Sequence, residues 1–503
     1  MEPQRDIAAG LRVVEIGSSA AVALAGMVLA DAGAEVFWIE APGGSALRQE
    51  PASSMWGRGK QSVVADLGEP RDAARVRALL CDADVALLGL KPASLDRFGL
   101  THRVLAADAP RLVHAALTGF GSRGPFRDVP VYDAVMQARG GRMFEFSTLF
   151  DGTRPAFTAA PVVSFGAAMA LLQGVFGALR ARALNGGRGQ AIEASLARAM
   201  TFYDLGQWTP GGPFALRLED TPFLPYSVAR TADGIWLQFA QNGPALFADF
   251  LRVLGLEGAI DYRAAMAPGD PVTRQALREQ IQRRVAEASF SEWQTRLAPE
   301  RNLSVERFHA PGEALGHPQF EAIGDVVRVA DPRGRITRQL GPLFDVPDRP
   351  LRPRGPAPTL GSAGAAGFTV ATDPTPAALR GEEGGPGLFA GVTVLELGMW
   401  IALPFAATQL AELGARVIKI EPLEGDPMRT TGPFAFKLVQ GKQSLALDLK
   451  RPEAREIVHR LVARADALVH SYRPGVPERL GIDYETLVRI NPRLVYLYNG
   501  SYG

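Results

Sequence analysis

The chain of 503 residues has one cysteine, six histidines and a net charge of only +1. A single cysteine, Cys81, excludes an internal disulfide framework and a cysteine-built zinc site, and it fits a reducing cytoplasm. Within the helical pattern RVRALLCDAD, Cys81 reads as a small buried apolar residue rather than a nucleophile. The histidines (His102, His114, His309, His317, His459 and His470) have no metal-ligand spacing, so no metal site is expected. With 54 basic against 53 acidic residues, no global field draws in nucleic acid or an anionic membrane, and any anionic ligand must be held by local arginines and lysines. The opening MEPQRDIAAG lacks the basic-then-apolar build of a secretory signal, which argues against export.

Long apolar runs are also scarce. One uncharged stretch, residues 155–179 between Arg154 and Arg180, is long enough to cross a membrane. Pro161, Ser164, Gly166, Gln173, Gly174 and Gly177 interrupt it, so it reads as a buried core helix and no membrane partner is expected. A hydrophobic content of 47% is enough to give cores to the several units that this length suggests.

What the chain does have is a repeat. Residues 10–121 return in closely similar form as 391–503: LRVVEIG becomes VTVLELG, LADAGAEVFWIE becomes LAELGARVIKIE, GKQSVVADL becomes GKQSLALDL, and APRLVHAALTGFG becomes NPRLVYLYNGSYG. Glu40 and Glu421 lie 381 positions apart and Lys60 and Lys442 lie 382 apart, so one inserted residue separates the copies. A period this long is no solenoid. It reads as a duplicated domain whose second copy stops where the first carries on.

Each copy begins with a buried strand (12–16), a turn (17–20), a helix (21–32) and a second strand ending in Glu40, which is a βαβ unit. A helix (71–80), a strand (85–88), a helix (near 101–107) and a strand (112–116) continue the alternation. The pattern predicts an α/β fold with a doubly wound, mainly parallel sheet, which binds ligands at the carboxyl ends of its strands. Glu40 stands where a ribose-binding acid would. The turns GSSAAV and GMWIAL, however, carry one glycine where the dinucleotide fingerprint needs three, so no NAD or flavin is expected. From residue 225 two alternating strands flank an Asp233-Gly234 turn, and helical stretches follow near 244–254, 273–288 and 291–297. The expected division is a large nucleotide-binding-like domain (1–224), a small α+β domain (225–324), a return segment (325–360), a Gly/Ala/Pro-rich linker (361–387) and a truncated second copy of the large domain (388–503).

Taken in order, GAEVFWIE or GARVIKIE and GKQS…DL, present in both copies, with RPGVPERLGIDYETLVRINPRLV of the second copy and GFGSRGP and RARALNGGRGQ of the first, resemble the family III CoA-transferases, which include formyl-CoA transferase, carnitine CoA-transferase and α-methylacyl-CoA racemase. The resemblance covers residues 8–360 and again 388–503. It implies a Rossmann-like large domain with a small domain, and an interlinked homodimer or, for tandem copies, an intramolecular pseudo-dimer. Coenzyme A or an acyl-CoA and a carboxylic acid are the implied partners. The implied reaction moves CoA from a thioester to a carboxylate through an aspartyl nucleophile, a mixed anhydride and an aspartyl-CoA thioester, with glycine-loop amides at the oxyanion.

Carried over residue by residue, the nucleophile position, ten residues before Gly174 of GVFGAL, is Ser164. The aspartate is missing; Glu145 and Asp151 are the nearest carboxylates, in the wrong context. A serine ester is too stable to return its acyl group readily to CoA, so Ser164 is expected to cap or line a helix. Asp133 in VYDAVMQ matches a supporting carboxylate or a plain cap, and Tyr132 stands where the racemase branch has histidine. For CoA, the first copy keeps only Arg97, whereas the second keeps Asp448, Lys450, Tyr472 and Arg479. The expectation is therefore a family III CoA-transferase whose better CoA pocket is in the second copy and whose nucleophile there would lie beyond Gly503. A non-catalytic CoA-binding or scaffolding homologue is the alternative, and a serine-dependent acyltransferase a third reading.

Overall fold

The computed structural model describes residues 6–141, 143, 155, 160–203, 224–241, 243–266, 271–300, 303–310, 312–331, 333–347, 349–364, 367, 387–430 and 437–500. It falls into two compact units. One comprises Met1–Gly140, Thr158–Phe214 and Pro318–Gly503, the other Gly141–Phe157 and Ala215–His317.

Runs rich in Val, Ile, Leu and Ala ask for burial on both faces of a sheet. In the first unit they form β1 (Arg12–Gly17), β2 (Glu35–Glu40), β3 (Gln61–Val64), β4 (Val85–Gly89), β5 (Val113–Thr118) and β6 (Ala191–Ser195). The sheet order is β3-β2-β1-β4-β5-β6 and every neighbouring pair is parallel. Alternate side chains serve opposite cores. Val13, Val85 and Leu87 pack with the Ala20–Asp31 and Val162–Leu184 helices, whereas Val14, Ala86 and Leu88 pack with the Pro70–Asp82 helix. The chain order reverses between β1 and β4, where an open α/β sheet leaves its crevice.

The Val162–Leu184 helix is long and apolar enough to span a membrane by length and composition. Here it packs inside the first core, with Ala167, Leu171, Val175 and Ala178 fully buried. Its glycines permit close approach: a Cβ at Gly174 would sit 2.6 Å from Ile192, and one at Gly177 would sit 2.9 Å from Leu388, where the second copy begins. Arg182, in the last turn of this helix, is a buried tie, bonded to Asp84 at 2.8 Å and to the Arg111 carbonyl at 2.9 Å. Cys81 departs from expectation in another way. It lies on the exposed side of its helix because the buried stripe is Val76, Leu79 and Leu80. Partial burial, and next the charge of Asp108, push its thiol pKa up, against nucleophilic use.

In the second unit β7 (Val228–Arg230), β8 (Trp236–Phe239) and β9 (Val305–Arg307) form an antiparallel sheet. Gly234, at φ +87°, makes the β7–β8 turn. Helices Pro244–Val253, Pro271–Ala286 and Phe290–Leu297 close a core around Phe239, Phe247, Phe250 and Trp293.

The chain then re-enters the first unit with the antiparallel pair β10 (Val326–Ala330) and β11 (Ile336–Leu340). Buried Arg58 binds Asp31 at 2.5 Å and the Gly341 carbonyl at 3.3 Å, and Arg48 donates to the Pro358 carbonyl at 3.0 Å, fastening this return to the large sheet. A second sheet follows: β12 (Thr393–Leu397), β13 (Arg416–Glu421), β14 (Gln443–Ala446), β15 (Ala467–His470) and β16 (Val495–Tyr498). Its order is β14-β13-β12-β15-β16, all parallel. Strand for strand this is the order of β3-β2-β1-β4-β5.

Candidate functional site

The carboxyl ends of β13, β14 and β15 open into a cleft of about 730 Å³ lined by Glu421, Asp448, Lys450, Arg455, Tyr472 and Arg479, among others. All four second-copy residues singled out in the sequence therefore meet in one place. Asp448 shapes the rim: its Oδ1 accepts the Lys450 N–H at 3.1 Å, closing the turn that presents the Lys450 side chain. Arg479 stands at the mouth on the short Val476–Leu480 helix, entered through Gly475 at φ +81°. No ion pair to Lys450, Arg455 or Arg479 is found among the described residues. Three uncommitted cations around an open cleft are suited to a polyphosphate.

Tyr472 forms part of the wall. Its N–H donates to His470 Nδ1 at 3.3 Å, so neutral His470 carries its proton on Nε2. Burial pushes the His470 pKa down, opposed by the charge of Glu478, and burial pushes the Tyr472 hydroxyl up. The His470 ring also lies 5.0 and 5.2 Å from Tyr496 and Tyr498. The cleft thus backs onto aromatic rings while its mouth is positive.

Glu421 was not expected at this site as a structural anchor. Its carboxylate accepts from Arg429 Nε at 2.8 Å, from the Asp426 N–H at 2.9 Å and from the Ser444 hydroxyl. Burial alone would raise its pKa, but these bonds outweigh burial and hold it at about 2. Glu40 has the same partners: Arg48 at 2.6 Å, the Ser45 N–H at 3.0 Å and the Ser62 hydroxyl at 2.6 Å. The carboxylate at the ribose-ligand position is already engaged inside the protein. The signal was present in the sequence, since an arginine follows each glutamate by eight positions in both copies.

The first copy differs at the matched cleft positions. Gly68, Ala73 and Leu90 stand where the second copy has Lys450, Arg455 and Tyr472. Arg97 is kept, exposed, with its guanidinium 4.4 Å above the Phe98 ring. Asp66 still closes the turn, accepting the Gly68 N–H at 2.8 Å, but the turn presents no side chain.

Ser164 sits in the first turn of the Val162–Leu184 helix, buried, and its N–H donates to Asp133 Oδ2 at 2.6 Å. The other oxygen, Oδ1, accepts from Gln137 at 2.5 Å. Asp133 therefore satisfies an otherwise unpaired helix-start amide, as a cap does. Glu145 and Asp151 lie outside the described residues. In GFGSRGP, the Gly121 N–H is taken by Thr118 Oγ1 at 3.0 Å and the Ser122 N–H by Glu193 at 2.5 Å, so neither points free toward an oxyanion.

Comparison with known proteins accounts for this layout. Residues 8–363 and 389–503 match the pattern of CoA-transferase family III. The chain is 42% identical over 140 residues to an acetyl-CoA:oxalate CoA-transferase of Acetobacter aceti, spanning 26% of the chain and 34% of that relative. It is 29% identical over 380 residues to a succinate–glutarate CoA-transferase of Agrobacterium fabrum, covering 70% of the chain and 92% of the relative. Over 513 residues it is 26% identical to a probable CoA-transferase, Rv1866, of Mycobacterium tuberculosis, covering 95% of the chain but 62% of the relative. Among solved structures, a CAIB/BAIF family protein from Brucella suis superposes with a TM-score of 0.60 at 25% identity, covering 72% of this chain and 98% of that one. The chain belongs to CoA-transferase family III.

Proposed function

We propose that the chain binds coenzyme A in the cleft of residues 388–503 and serves a transfer of CoA from an acyl-CoA thioester to a carboxylic acid. The observation that carries this reading is the cleft itself, with Lys450, Arg455 and Arg479 at its edge and Tyr472 in its wall. The lysine and arginines neutralise the nucleotide phosphates, and the phenol ring offers a face to adenine. In the transfer, a carboxylate attacks the thioester carbonyl and expels CoA thiolate, leaving a mixed anhydride. The thiolate then attacks the enzyme's acyl carbon, releasing the first acid and leaving an enzyme thioester. The acceptor carboxylate repeats the cycle in reverse. A serine at the nucleophile position cannot form the anhydride, so the first copy acts as a fold partner rather than as the reacting centre. The proposed assembly is two chains interlinked, or two copies paired within one chain, in the reducing cytoplasm that one cysteine suits.

Calorimetric titration of the whole chain with CoA tests the cleft. Binding is expected to weaken in Lys450→Ala and Arg479→Ala and to be unchanged in Arg97→Ala; the opposite pattern removes the assignment. The second reading, a CoA-binding protein without turnover, is favoured by buried Ser164. Incubation with acyl-CoA donors and a panel of carboxylate acceptors separates the two. Robust exchange that is lost in Ser164→Ala would overturn the reading of the first copy as a fold partner, and an acyl adduct trapped on Ser164 would favour a serine acyltransferase.

A further inference from the structure

The second unit ends in a cluster of titratable side chains. Glu306 lies on β9, His309 follows in the loop, and His317 comes directly after the 3-10 turn Glu313–Gly316. One donor atom from each of Glu306, His309 and His317 lies within 4.8 Å of the others. Glu306 Oε1 is 3.4 Å from His309 Nε2, and Glu306 Oε2 is 3.7 Å from His317 Nε2. The two imidazoles meet edge to face, with centroids 5.9 Å apart at 81°.

His309 is the informative member. Both of its ring nitrogens are buried and neither makes a hydrogen bond. The side chain as a whole is partly exposed, at 19%, but ring nitrogens shut off from water without partners are costly unless something outside the protein completes them. On the side away from Glu306, His309 Nδ1 faces Glu313 Oε2 at 3.7 Å. Glu313 is itself held by the Ala310 N–H at 3.1 Å and by Arg307 at 3.6 Å. At 3.7 Å this is proximity and not a hydrogen bond, but it puts a carboxylate on the side where metal-bound histidines have one to take the distal N–H and fix which nitrogen faces the ion.

We propose that Glu306, His309 and His317 bind a divalent first-row transition ion, with Glu313 as the positioning residue behind His309. Two imidazole nitrogens and one carboxylate suit Zn2+ and its neighbours, whereas Mg2+ and Ca2+ take oxygen shells. Three protein ligands leave a coordination position for water. The ion would clip β9 to the turn that ends the unit. Spacing gives no hint of it, because the ligands are brought together by a loop through Gly312, at φ +87°, and not by one helix face.

The test is a titration of the whole chain, stripped with chelator, with ZnCl2 by calorimetry and with Co2+ by visible absorption. One equivalent is expected to bind per chain, with the intense d–d bands of low-coordinate Co2+. His309→Ala and His317→Ala should each weaken binding about 100-fold or more, and Glu313→Gln about 10- to 100-fold. His102→Ala should leave binding unchanged, and circular dichroism of the metal-free variants checks their fold. Absence of saturable one-equivalent binding, or wild-type affinity in either histidine variant, overturns the proposal. X-ray absorption of the zinc-loaded wild type needs no variant: a first shell without two imidazoles overturns it equally.

Discussion

Residues 8–121 and 389–503 build the same strand order, yet they bury charge differently. Beneath the second sheet, Glu396 is gripped by Lys419 at 2.9 Å and Lys442 at 2.6 Å, and Lys419 also reaches Asp426 at 2.9 Å. The first sheet has Glu15 and Lys60, 2.6 Å apart, with Trp38 at the position of Lys419 and Ser45 at that of Asp426. A buried cation and a buried anion were exchanged together, so each core stays near neutrality, as the high cost of an unpaired interior charge requires. The exchange leaves a trace: Glu15 Oε1 and Trp38 Nε1 are buried without hydrogen bonds. Room for Glu15 comes from Gly26, where a Cβ would fall 1.9 Å from its carboxylate; the second copy has Ala407 there. The first copy has thus replaced a polar network by apolar bulk under its sheet, just as it has replaced Lys450, Arg455 and Tyr472 by Gly68, Ala73 and Leu90 above it.

The largest effect should come from breaking the quartet. Glu396→Gln removes the shared anion of two buried lysines and should cost about 3–5 kcal/mol, on the scale of a broken buried pair. Glu15→Gln strands only Lys60 and should cost less. Urea unfolding of both variants checks the order, and an equal or greater loss in Glu15→Gln would break the comparison. Lys419→Trp combined with Asp426→Ser should cost less than the sum of the single changes, because the two positions form one network.

Next in size is ligand binding. Lys450→Ala and Arg479→Ala each remove a charge-assisted contact worth about 1.5–3 kcal/mol, which is roughly a 10- to 150-fold rise in the Kd for CoA. Gly68→Lys in the first copy returns one cation without Arg455 or Tyr472 and should create no measurable second site. Two binding equivalents in that variant would mean that the copies differ by one residue only.

The mainly parallel sheet and the grouping of Asp448, Lys450, Tyr472 and Arg479 were legible in the sequence because both follow from backbone chemistry. Parallel strands put their carboxyl-end turns side by side, and the motif residues lie in those turns. What was not legible depends on contacts distant in sequence. Arg182 finds Asp84, Arg58 finds the Gly341 carbonyl, and Glu306 finds His317 across a loop. Cys81 was misplaced because one residue's step around a helix is about 100°, enough to carry it off a stripe set by Val76 and Leu80. Some equivalences hide even in the alignment. Tyr496 donates to the Ile482 carbonyl at 3.1 Å, and His114 makes the matching bond to Leu100 at 2.8 Å, so unlike residues do the same job.

A smaller effect is expected at Asp133. If it caps the Val162–Leu184 helix, Asp133→Ala should cost about 0.5–2 kcal/mol of stability and Asp133→Asn less, since an amide oxygen still accepts the Ser164 N–H. A thermal melt of the two variants decides it. No loss in Asp133→Ala would release this carboxylate from a structural duty and leave it available for chemistry, which would narrow the difference between the copies.

The effect least visible at neutral pH is the acid titration of Glu421. Its pKa falls from the ordinary 4.5 to about 2 in the folded chain, so the unfolded chain binds the proton first. The stabilisation is fully present above 4.5 and is lost as the pH drops toward 2. Above 4.5 the wild-type stability should therefore carry no slope from this group. In Glu421→Gln the acid slope should be shallower, because the variant has already lost the ionic bonds to Arg429 at every pH. Denaturant midpoints measured from pH 6 to pH 2.5 for both proteins test this, and parallel slopes would show that other carboxylates govern acid unfolding. The same carboxylate lines the cleft beside Lys450, so CoA present at saturation should leave the titration in place if Glu421 anchors the wall and touches no ligand.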